Sequence, residues 1–292
     1  MQSFVEINHN TKVVGVIGHP IKHSLSPIMH NYAFNKLDLN YVYLPFDINP
    51  ANLKEALRGM AALGITGFNV TIPHKERIVE YLDELSDGAK IVNAVNTVVN
   101  ENGKLLGYNT DIDGIAKTLE AFKEKLNGKT VSLFGAGGAA RAVIYTLITR
   151  FNIKEINIIN RTVERAESLK DYFTSKLLFE KIKTYELIPP DLVKVLQNST
   201  LIINTTSIGM SPEEDDTPTS IPESFNKNQI VFDVIYTPRK TKLLEIAESR
   251  NAITLNGLKM FIEQGAKAFE LWTNKKMPVG KIEKILTKEL KV

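Results

Sequence analysis

The sequence predicts an α/β protein of two domains, each built on a β-sheet that helices cover. Two observations carry this prediction. Short apolar, β-branched runs alternate with helical patterns along most of the chain, which is typical of parallel sheets. The chain has 292 residues, which is long enough for two domains of ordinary size with separate cores.

The bulk composition narrows the class of protein. With 43% hydrophobic and 24% charged residues, the chain has the composition of a soluble globular protein. Its net charge of +3 is small and its basic residues form no stripe, so we expect no nucleic-acid partner. No apolar run approaches the roughly 20 residues of a membrane helix, and the polar residues 1–6 are unlike a signal peptide. The chain has no cysteine, which excludes disulfides and thiolate sites and is compatible with a reducing compartment. Together, these observations predict a cytoplasmic protein without a membrane segment.

The first third of the chain predicts an α/β unit. Strand patterns and helical periodicities alternate, beginning with a strand, at 13–17, 26–37, 41–44, 49–63, 65–72 and 74–85. This alternation predicts a mostly parallel sheet with helices on both faces. Two further strands, 95–99 and 104–108, flank a turn that contains Gly103 and predict a hairpin.

A helix predicted over 111–126 leads into a second βαβ series and is the candidate linker between the domains. The elements predicted after it are a strand from 130, a helix to 150, and then further strands and helices at 155–159, 163–177, 201–204, 230–234 and 241–249. Two last helices, 257–275 and one ending near 290, follow the strands, so we expect them to pack on the first domain. We therefore predict a first domain at 1–112, completed by 257–292, and a second at 113–256.

A glycine-rich turn joins the strand that starts at 130 to the next helix. Gly135, Gly137 and Ala140 fit the fingerprint G-x-G-x-x-G/A of Rossmann-type, doubly wound dinucleotide-binding domains. Gly135 permits the tight turn, Gly137 lets a pyrophosphate approach the backbone, and Ala140 lets the helix pack closely on the strand. The free N–H groups at the helix start favour phosphate binding. Such turns also occur for packing reasons alone, so the fingerprint needs support from elsewhere in the chain.

The residues after the second strand of this series bear on the choice of cofactor. A site that selects NAD usually has an Asp or Glu there for the ribose 2′-hydroxyl. This chain has Asn160, Arg161 and Thr162 instead, with Arg165 one helical turn later. The arginines can hold a 2′-phosphate through charge-assisted hydrogen bonds, so we predict NADP. The alternative is a surface arginine that caps a helix.

Hydride chemistry on an alcohol needs a group that takes and returns the hydroxyl proton. Lys75 follows the strand predicted at 65–72, at the sheet end where α/β proteins present ligand sites. Asp111 lies at a strand-to-helix junction. A lysine held by an aspartate normally stays protonated, and the pair can act as a proton relay to the reacting oxygen. The alternative is a solvated lysine and a helix-capping aspartate.

Eight short motifs occur in an order and spacing that resemble the shikimate dehydrogenases. They are HSLSPIMHN at 23–31, GFNVTIPHK at 67–75, NAVNT at 93–97, GYNTD at 107–111, GAGGAAR at 135–141, NRT at 160–162, DVIYTP at 233–238 and NGLKMFIEQGAKAFE at 256–270. The resemblance covers essentially the whole chain. It implies an enzyme that interconverts 3-dehydroshikimate and shikimate with NADPH. Asn93 departs from the family, which often has glycine at this position.

The resemblance also implies roles for individual residues. Ser24 and Ser26 are implied to bind the substrate carboxylate, and Lys75 with Asp111 to form the catalytic pair. The residues implied to bind the ring hydroxyls are Thr71, Asn96, Asp111 and Gln264. The residues implied to lie around the nicotinamide and the substrate are Tyr236, Gly257 and Met260. The resemblance implies that Thr205 and Ser207 lie along the cofactor. The cofactor-binding residues predicted from the fingerprint and from the end of the second strand are Gly135, Ala136, Gly137, Gly138, Ala139, Asn160, Arg161, Thr162 and Arg165.

Each of these residues has a structural alternative. Ser24 and Ser26 can be turn and capping residues before Pro27, and Asn96 can satisfy backbone groups within the sheet. Met260 at helical spacing is ordinarily a core residue, and Tyr236 can simply fill a turn before Pro238. Their joint occurrence favours the functional interpretation.

The histidines of the sequence do not predict a metal site. All the histidines lie in the first quarter of the chain, namely His9, His19, His23, His30 and His74. His19 and His23 have the spacing of two ligands on a helix, but Pro20 and the nearby serines predict a loop. We predict no metal.

The functional hypothesis is an NADP-dependent oxidoreductase of aromatic (chorismate) biosynthesis whose partners are small molecules, bound in a cleft between the domains. One alternative is an enzyme that also accepts quinate or uses NAD. A second is a non-catalytic NADP-binding sensor. The sequence leaves monomer and homodimer open.

Overall fold

The computed structural model describes residues 7–22, 24–187 and 191–290. His23, one of the histidines considered above, lies outside these ranges. The chain divides into two units. The first unit contains the chain up to Gly114 together with everything from Ile262 onward, and the second unit is Ile115–Phe261.

The first unit is built on a mixed sheet. Its strands are β1 (Lys12–Gly18), β2 (Tyr41–Asp47), β3 (Gly67–Val70), β4 (Glu84–Leu85), β5 (Thr97–Glu101) and β6 (Lys104–Tyr108). They lie in the order β2-β1-β3-β5-β6-β4. β1 is parallel to β2 and β3, whereas β5 is antiparallel to both β3 and β6. The predicted hairpin is confirmed, but the prediction of a mostly parallel sheet is wrong for the half that contains the hairpin.

The helices of the first unit are α1 (Ser26–Lys36), α2 (Leu53–Ala62), α3 (Asp87–Val92) and, from the end of the chain, the greater part of α10 (Leu258–Thr273) and all of α11 (Val279–Glu289). The prediction of a helix over 74–85 is wrong. The segment forms turns, a 3₁₀ helix at Arg77–Tyr81 and the short strand β4. Asp83 and Ser86 donate their backbone N–H groups to the carbonyls of Leu105 and Gly107, so pairing with β6 extends the chain there.

The C-terminal helices pack on the first unit, as the sequence predicted. Trp272 of α10 donates its indole N–H to the Val98 carbonyl at 3.0 Å, and its own carbonyl accepts from the Tyr41 hydroxyl at 3.1 Å. Phe269 stacks on Phe34 of α1 with ring centroids 5.1 Å apart. α10 therefore belongs to the core around α1 and β2 rather than to the surface.

The second unit carries an all-parallel sheet. Its strands are β7 (Thr130–Phe134), β8 (Glu155–Ile159), β9 (Ile182–Tyr185), β10 (Leu201–Asn204), β11 (Ile230–Asp233) and β12 (Ile253–Leu255). They lie in the order β12-β11-β10-β7-β8-β9. This is the Rossmann order, in which the strand sequence reverses between β7 and β10 and ligands bind at the carboxyl edge of that switch point. The predicted doubly wound domain is confirmed.

The helices of the second unit follow the strands. After α4 (Asp111–Leu119), in which the unit begins, they are α5 (Lys123–Leu126), α6 (Gly138–Phe151), α7 (Val163–Leu177), α8 (Leu192–Gln197) and α9 (Lys242–Ser249). The single helix predicted over 111–126 is interrupted by a 3₁₀ turn at Glu120–Phe122. The prediction missed β9, β12 and α8, which are all short, and both strands lie at sheet edges. Among the described residues, none of the helices combines the length and the hydropathy needed to cross a bilayer.

Candidate active site and cofactor site

Polar loops follow the parallel strands at one edge of the first sheet. β1, β2 and β3 run in the same direction, so the loops after Gly18, Asp47 and Val70 emerge at one edge. Thr71 donates its backbone N–H to the Ile17 carbonyl at 2.9 Å and passes close to Gly18, where a Cβ would lie 2.5 Å from the Thr71 methyl group. Gly18 thus lets the Thr71 loop approach β1.

Ser24 and Ser26 lie at the start of α1. Ser26 is buried and is the first helical residue, and its backbone N–H donates to the half-buried Ser24 hydroxyl at 3.3 Å. The two serines therefore share one turn at a helix N-terminus, where N–H groups and the helix dipole favour an anion. This is also the geometry expected of the turn-and-cap alternative.

Lys75 and Asp111 form an ion pair. Lys75 Nζ donates to Asp111 Oδ2 at 2.6 Å, and the side chains are 19% and 5% exposed. The Lys75 carbonyl accepts from the Val95 N–H at 2.8 Å, which fixes the lysine backbone beside the sheet. Asp111 is the first residue of α4, and its carboxylate oxygens accept hydrogen bonds from the side chains of Lys75 and Asn96. The pair combines a partly accessible ammonium with a buried, hydrogen-bonded carboxylate.

Asn96 connects this pair to other predicted residues. Its amide nitrogen donates to Asp111 Oδ1 at 2.9 Å and lies 3.3 Å from Gln264 Oε1. Its amide oxygen accepts from the backbone N–H of Thr110 at 2.7 Å. The structure thus joins Lys75, Asp111, Asn96 and Gln264 in one hydrogen-bond network. The sequence missed Thr110, although its position directly before Asp111 was the available signal.

A second layer of buried polar groups supports Asn96. Tyr43 donates its hydroxyl to Asn69 Oδ1 at 2.7 Å, and the Asn69 amide donates to the Asn96 carbonyl at 3.2 Å and to Thr97 Oγ1 at 3.0 Å. Burial of such groups is tolerated when they are hydrogen-bonded, and the network then fixes their orientation. None of these three supporting residues was predicted, because the contacts join residues far apart in sequence.

The glycine turn has the geometry of a phosphate-binding loop. Gly135 has φ +107°, and a Cβ there would lie 2.6 Å from Thr205 Oγ1, so a side chain is excluded. Gly137 is the N-terminal cap of α6, and the space where its Cβ would point is open. Ala140 is fully buried between helix and sheet. These are the three roles that the fingerprint predicts, and the open space at Gly137 fits a dinucleotide pyrophosphate. Ala136, Gly138 and Ala139 complete the turn and the first helical residues.

The residues predicted to select the cofactor lie at the start of α7. Asn160 follows β8 and donates its amide to the Thr162 carbonyl at 2.7 Å, which bends the chain into the helix. Arg161, Thr162 and Arg165 are exposed there, and Thr162 makes no capping bond with its side chain. Exposed guanidinium groups at the end of the second strand suit an anionic 2′-phosphate.

The remaining predicted residues also belong to the second unit. Thr205 follows β10, and its backbone N–H and hydroxyl both donate to the Phe134 carbonyl, at 2.9 Å and 2.6 Å. Ser207 is exposed on the same loop. Tyr236 packs on Phe261 with ring centroids 4.5 Å apart. Met260 is buried, in keeping with its structural alternative as a core residue.

Asn204 and Asp233 were not predicted as functional residues. Both are fully buried at the ends of β10 and β11. Burial raises the pKa of the Asp233 carboxyl to about 6, against the lowering effect of its hydrogen bonds. The sequence offered one signal, since Asp233 opens the DVIYTP motif, but nothing in the sequence showed that Asn204 faces it.

The four histidines within the described ranges do not converge. His9 is exposed, His19 pairs with Asp47 at 2.7 Å, and His30 lies buried against Tyr43 and Trp272. His74 bonds the Ile48 carbonyl at 2.8 Å, and burial lowers its pKa. Within the described ranges, no cluster of three or more His, Asp or Glu side chains has the geometry of a metal site.

Comparisons with known proteins agree with this geometry. Family models match the chain at residues 16–98 (shikimate dehydrogenase substrate binding domain), 116–259 (shikimate / quinate 5-dehydrogenase) and 257–287 (shikimate 5′-dehydrogenase C-terminal domain). A shikimate dehydrogenase (NADP(+)) of Methanopyrus kandleri is 44% identical over 293 residues, covering 100% of both chains. The chain belongs to the shikimate dehydrogenase family.

Solved structures of this family have the same fold. A crystal structure of a shikimate dehydrogenase in complex with NADP+ superimposes with a TM-score of 0.90 at 45% identity, over 98% of each chain. The shikimate 5-dehydrogenase of Listeria monocytogenes, solved with shikimate and NAD, gives a TM-score of 0.87 at 42% identity, over 98% of this chain and 100% of that chain. The family membership confirms the predicted class of enzyme, an NADP-dependent oxidoreductase acting on shikimate.

Proposed function

We propose that Lys75 and Asp111 are the catalytic pair for the reversible reduction of 3-dehydroshikimate to shikimate with NADPH. The single observation that carries this proposal is the 2.6 Å ion pair held in the buried network of Asn96. In the direction of reduction, Lys75 Nζ donates a proton to the carbonyl oxygen of the substrate as it becomes a hydroxyl. In the direction of oxidation, the same nitrogen receives that proton, and Asp111 stabilises the ammonium that forms. Bound NADP supplies the hydride chemistry.

Substrate binding is proposed for the polar groups around this pair. Ser24 and Ser26 offer hydroxyl groups and a helix N-terminus to the carboxylate. Asn96 and Gln264 are already held by hydrogen bonds, so they are preorganised to bind ring hydroxyls, and Thr71 adds a hydroxyl after β3. Tyr236 is proposed as a further substrate-binding residue. Most of these residues lie within 1–112 and 257–292, which we propose as the main substrate-binding part of the chain.

Cofactor binding is proposed for residues 113–256, together with Gly257 and Met260. The open space at Gly137 and the close approach of Gly135 to Thr205 fit a pyrophosphate at the start of α6. Arg161 and Arg165, with Asn160 and Thr162, are proposed to bind the 2′-phosphate, and Thr205 and Ser207 to border the cofactor. We further propose that the enzyme is cytoplasmic, since a chain without cysteine suits a reducing compartment. Monomer and homodimer are equally compatible with these proposals.

Two observations favour testing a second candidate function. The family model for residues 116–259 names quinate as well as shikimate, and the Listeria structure contains NAD. We therefore propose an assay that crosses shikimate and quinate with NADP+ and NAD+. The expected result is the highest kcat/KM with shikimate and NADP+. Comparable values with quinate or NAD+ would support the broader enzyme, and binding of NADP+ without turnover would support a sensor.

Arginine 161 is expected to set the cofactor preference. Replacing it (Arg161→Ala) should lower kcat/KM for NADP+ by about 10-fold, because a charge-assisted hydrogen bond to the 2′-phosphate is lost. The value for NAD+, which lacks this phosphate, should stay within about twofold. Arg150→Ala, an exposed arginine at the far end of α6, is the matched control and should change neither value. An equal loss with both cofactors would contradict the assignment.

A further inference from the structure

A buried hydrogen-bond network lies at the ends of β10 and β11, where the loops after these strands begin. Asn204 and Asp233 are the last residues of these strands, face each other in the parallel ladder and are fully buried. The Asn204 amide donates to Asp233 Oδ1 at 3.1 Å. β10 borders the switch point next to β7, so this pair lies at the edge where the dinucleotide is proposed to bind.

Asp233 fixes the chain that leads to Tyr236. Its Oδ1 also accepts from the backbone N–H of Ile235 at 3.1 Å, and its Oδ2 accepts from the Thr241 hydroxyl at 2.7 Å. The carbonyl of Ile235 in turn accepts from the Gly257 N–H at 2.9 Å. Ile235, the residue before Tyr236, is therefore held by hydrogen bonds at both its backbone N–H and its backbone carbonyl.

Asn204 fixes the loop that carries Thr205 and Ser207. Its amide oxygen accepts from the Thr206 hydroxyl at 2.6 Å and from the Thr206 backbone N–H at 3.1 Å. The Thr206 hydroxyl then accepts from the Ile208 N–H at 3.1 Å, and the Asn204 amide nitrogen donates to the Ile208 carbonyl at 3.2 Å. The shape of this loop thus depends on the orientation of a single side-chain amide, which Asp233 holds.

We propose that Asp233 is a positioning residue for the cofactor loops, holding 205–208 through Asn204 and the segment before Tyr236 through the Ile235 N–H. The proposal rests on the proposed function, which places Thr205 and Ser207 beside NADP and Tyr236 beside the substrate. It assigns to Asp233 no contact with the cofactor or the substrate.

The charge of Asp233 supports a role beyond stability. The groups bonded to it come from β10, from the residue before α9 and from its own loop, and all three are neutral. Burial raises its pKa to about 6, so the ionised form is destabilised by the fold at neutral pH. An asparagine at this position would have nearly the same side-chain shape without the free-energy cost of burying a charge. A carboxylate instead accepts from every donor through stronger, charge-assisted hydrogen bonds.

The first test is Asp233→Asn, read out by fluorescence titration with NADPH, which does not depend on turnover. The new amide oxygen can accept from Asn204 and Ile235, and the Thr241 hydroxyl can turn to accept from the new NH₂ group. We expect the Kd for NADPH at pH 8 to rise about fivefold, since charge-assisted bonds become neutral ones. We also expect the melting temperature of Asp233→Asn to equal or exceed that of the wild type. A purely structural role of Asp233 would not combine weaker NADPH binding with unchanged or higher stability.

A second variant tests the loop itself. Thr206→Val removes the hydroxyl that bonds Asn204 and Ile208 but keeps the side-chain shape, and it should raise the Kd for NADPH by a similar factor. Thr146→Val is the matched control, because this buried hydroxyl bonds only the Ala142 carbonyl, within α6, among the residues that the structure describes. We expect no change in its Kd. Unchanged NADPH binding in both Asp233→Asn and Thr206→Val would overturn the proposal.

The pH dependence supplies a further readout. The wild-type Kd for NADPH should rise as the pH falls through about 6, where Asp233 takes up a proton. The cofactor 2′-phosphate also titrates near pH 6, so the informative quantity is the ratio of the variant Kd to the wild-type Kd at each pH. This ratio should fall toward 1 at about pH 5. A ratio that stays constant from pH 8 to 5 would show that the charge has no positioning role. Failure of the proposed function would appear differently, as tight NADPH binding without turnover of shikimate.

Discussion

Replacement of Lys75 with alanine is expected to lower kcat by about 100-fold or more, because a positioned group for proton transfer contributes at least this factor. The ammonium lies 2.6 Å from Asp111 and is 19% exposed, so it is both held and accessible. KM for NADP+ should change little, since the residues proposed to bind the cofactor lie in the second unit. The measurement is steady-state kinetics with shikimate and NADP+.

The control for this experiment must separate chemistry from folding. Lys75→Ala leaves the buried Asp111 carboxylate without its cation, which destabilises the protein. The double variant Lys75→Ala, Asp111→Asn removes the unpaired charge and should recover stability without recovering activity. Lys90→Ala, an exposed lysine 4.0 Å from Asp87, should leave kcat unchanged. A Lys75→Ala kcat within about threefold of the wild type would refute the catalytic role.

The predictable part of the fold is the part with local signals. The strand, glycine turn and helix around Gly135 are encoded by adjacent residues, and the structure has them where the pattern predicted. The hairpin β5–β6 is likewise encoded by its turn. By contrast, 84–85 becomes a strand because β6 offers it a partner, and that contact has no local signature. The same reason explains the missed edge strands β9 and β12.

In the site, too, local patterns suggested individual residues, whereas contacts between residues far apart in sequence could not be predicted. Lys75 and Asp111 could be suggested from their positions at the ends of predicted strands, but their pairing joins residues 36 positions apart. Asn96 and Gln264 are 168 positions apart and were implied only by the resemblance. Asn204 and Asp233 meet only because β10 and β11 are neighbours in register. Buried polar networks of this kind are properties of the folded sheet, so sequence patterns do not reveal them.

The asparagine at position 93, where the resemblance implies glycine, fits its local conformation. Asn93 ends α3 in the left-handed conformation, with φ +51°. Glycine adopts this conformation without strain, and asparagine is among the few other residues that enter it readily. The asparagine at position 93 is therefore compatible with the left-handed conformation that ends α3.

Replacement of Gly257 with alanine is expected to distort the start of α10 and to lower the melting temperature by several degrees. An added Cβ would lie 1.9 Å from the Val234 carbonyl oxygen and 2.4 Å from its carbon, and both are backbone atoms that cannot rotate away. The strain of such overpacking is about 3 kcal/mol or more, which corresponds to about 5–10 °C for a protein of this size. Thermal unfolding monitored by circular dichroism provides the measurement.

The same substitution should also weaken cofactor binding, because Gly257 donates its N–H to the Ile235 carbonyl beside Tyr236. Displacing Gly257 breaks that bond and moves the segment that Asp233 holds from the other side. Gly59→Ala is the matched control: Gly59 lies inside α2 with open space around it, so alanine there should stabilise the protein by about 0.5–1 kcal/mol. If Gly257→Ala melted like the wild type and bound NADPH equally well, the close backbone approach would not be what requires glycine at this position.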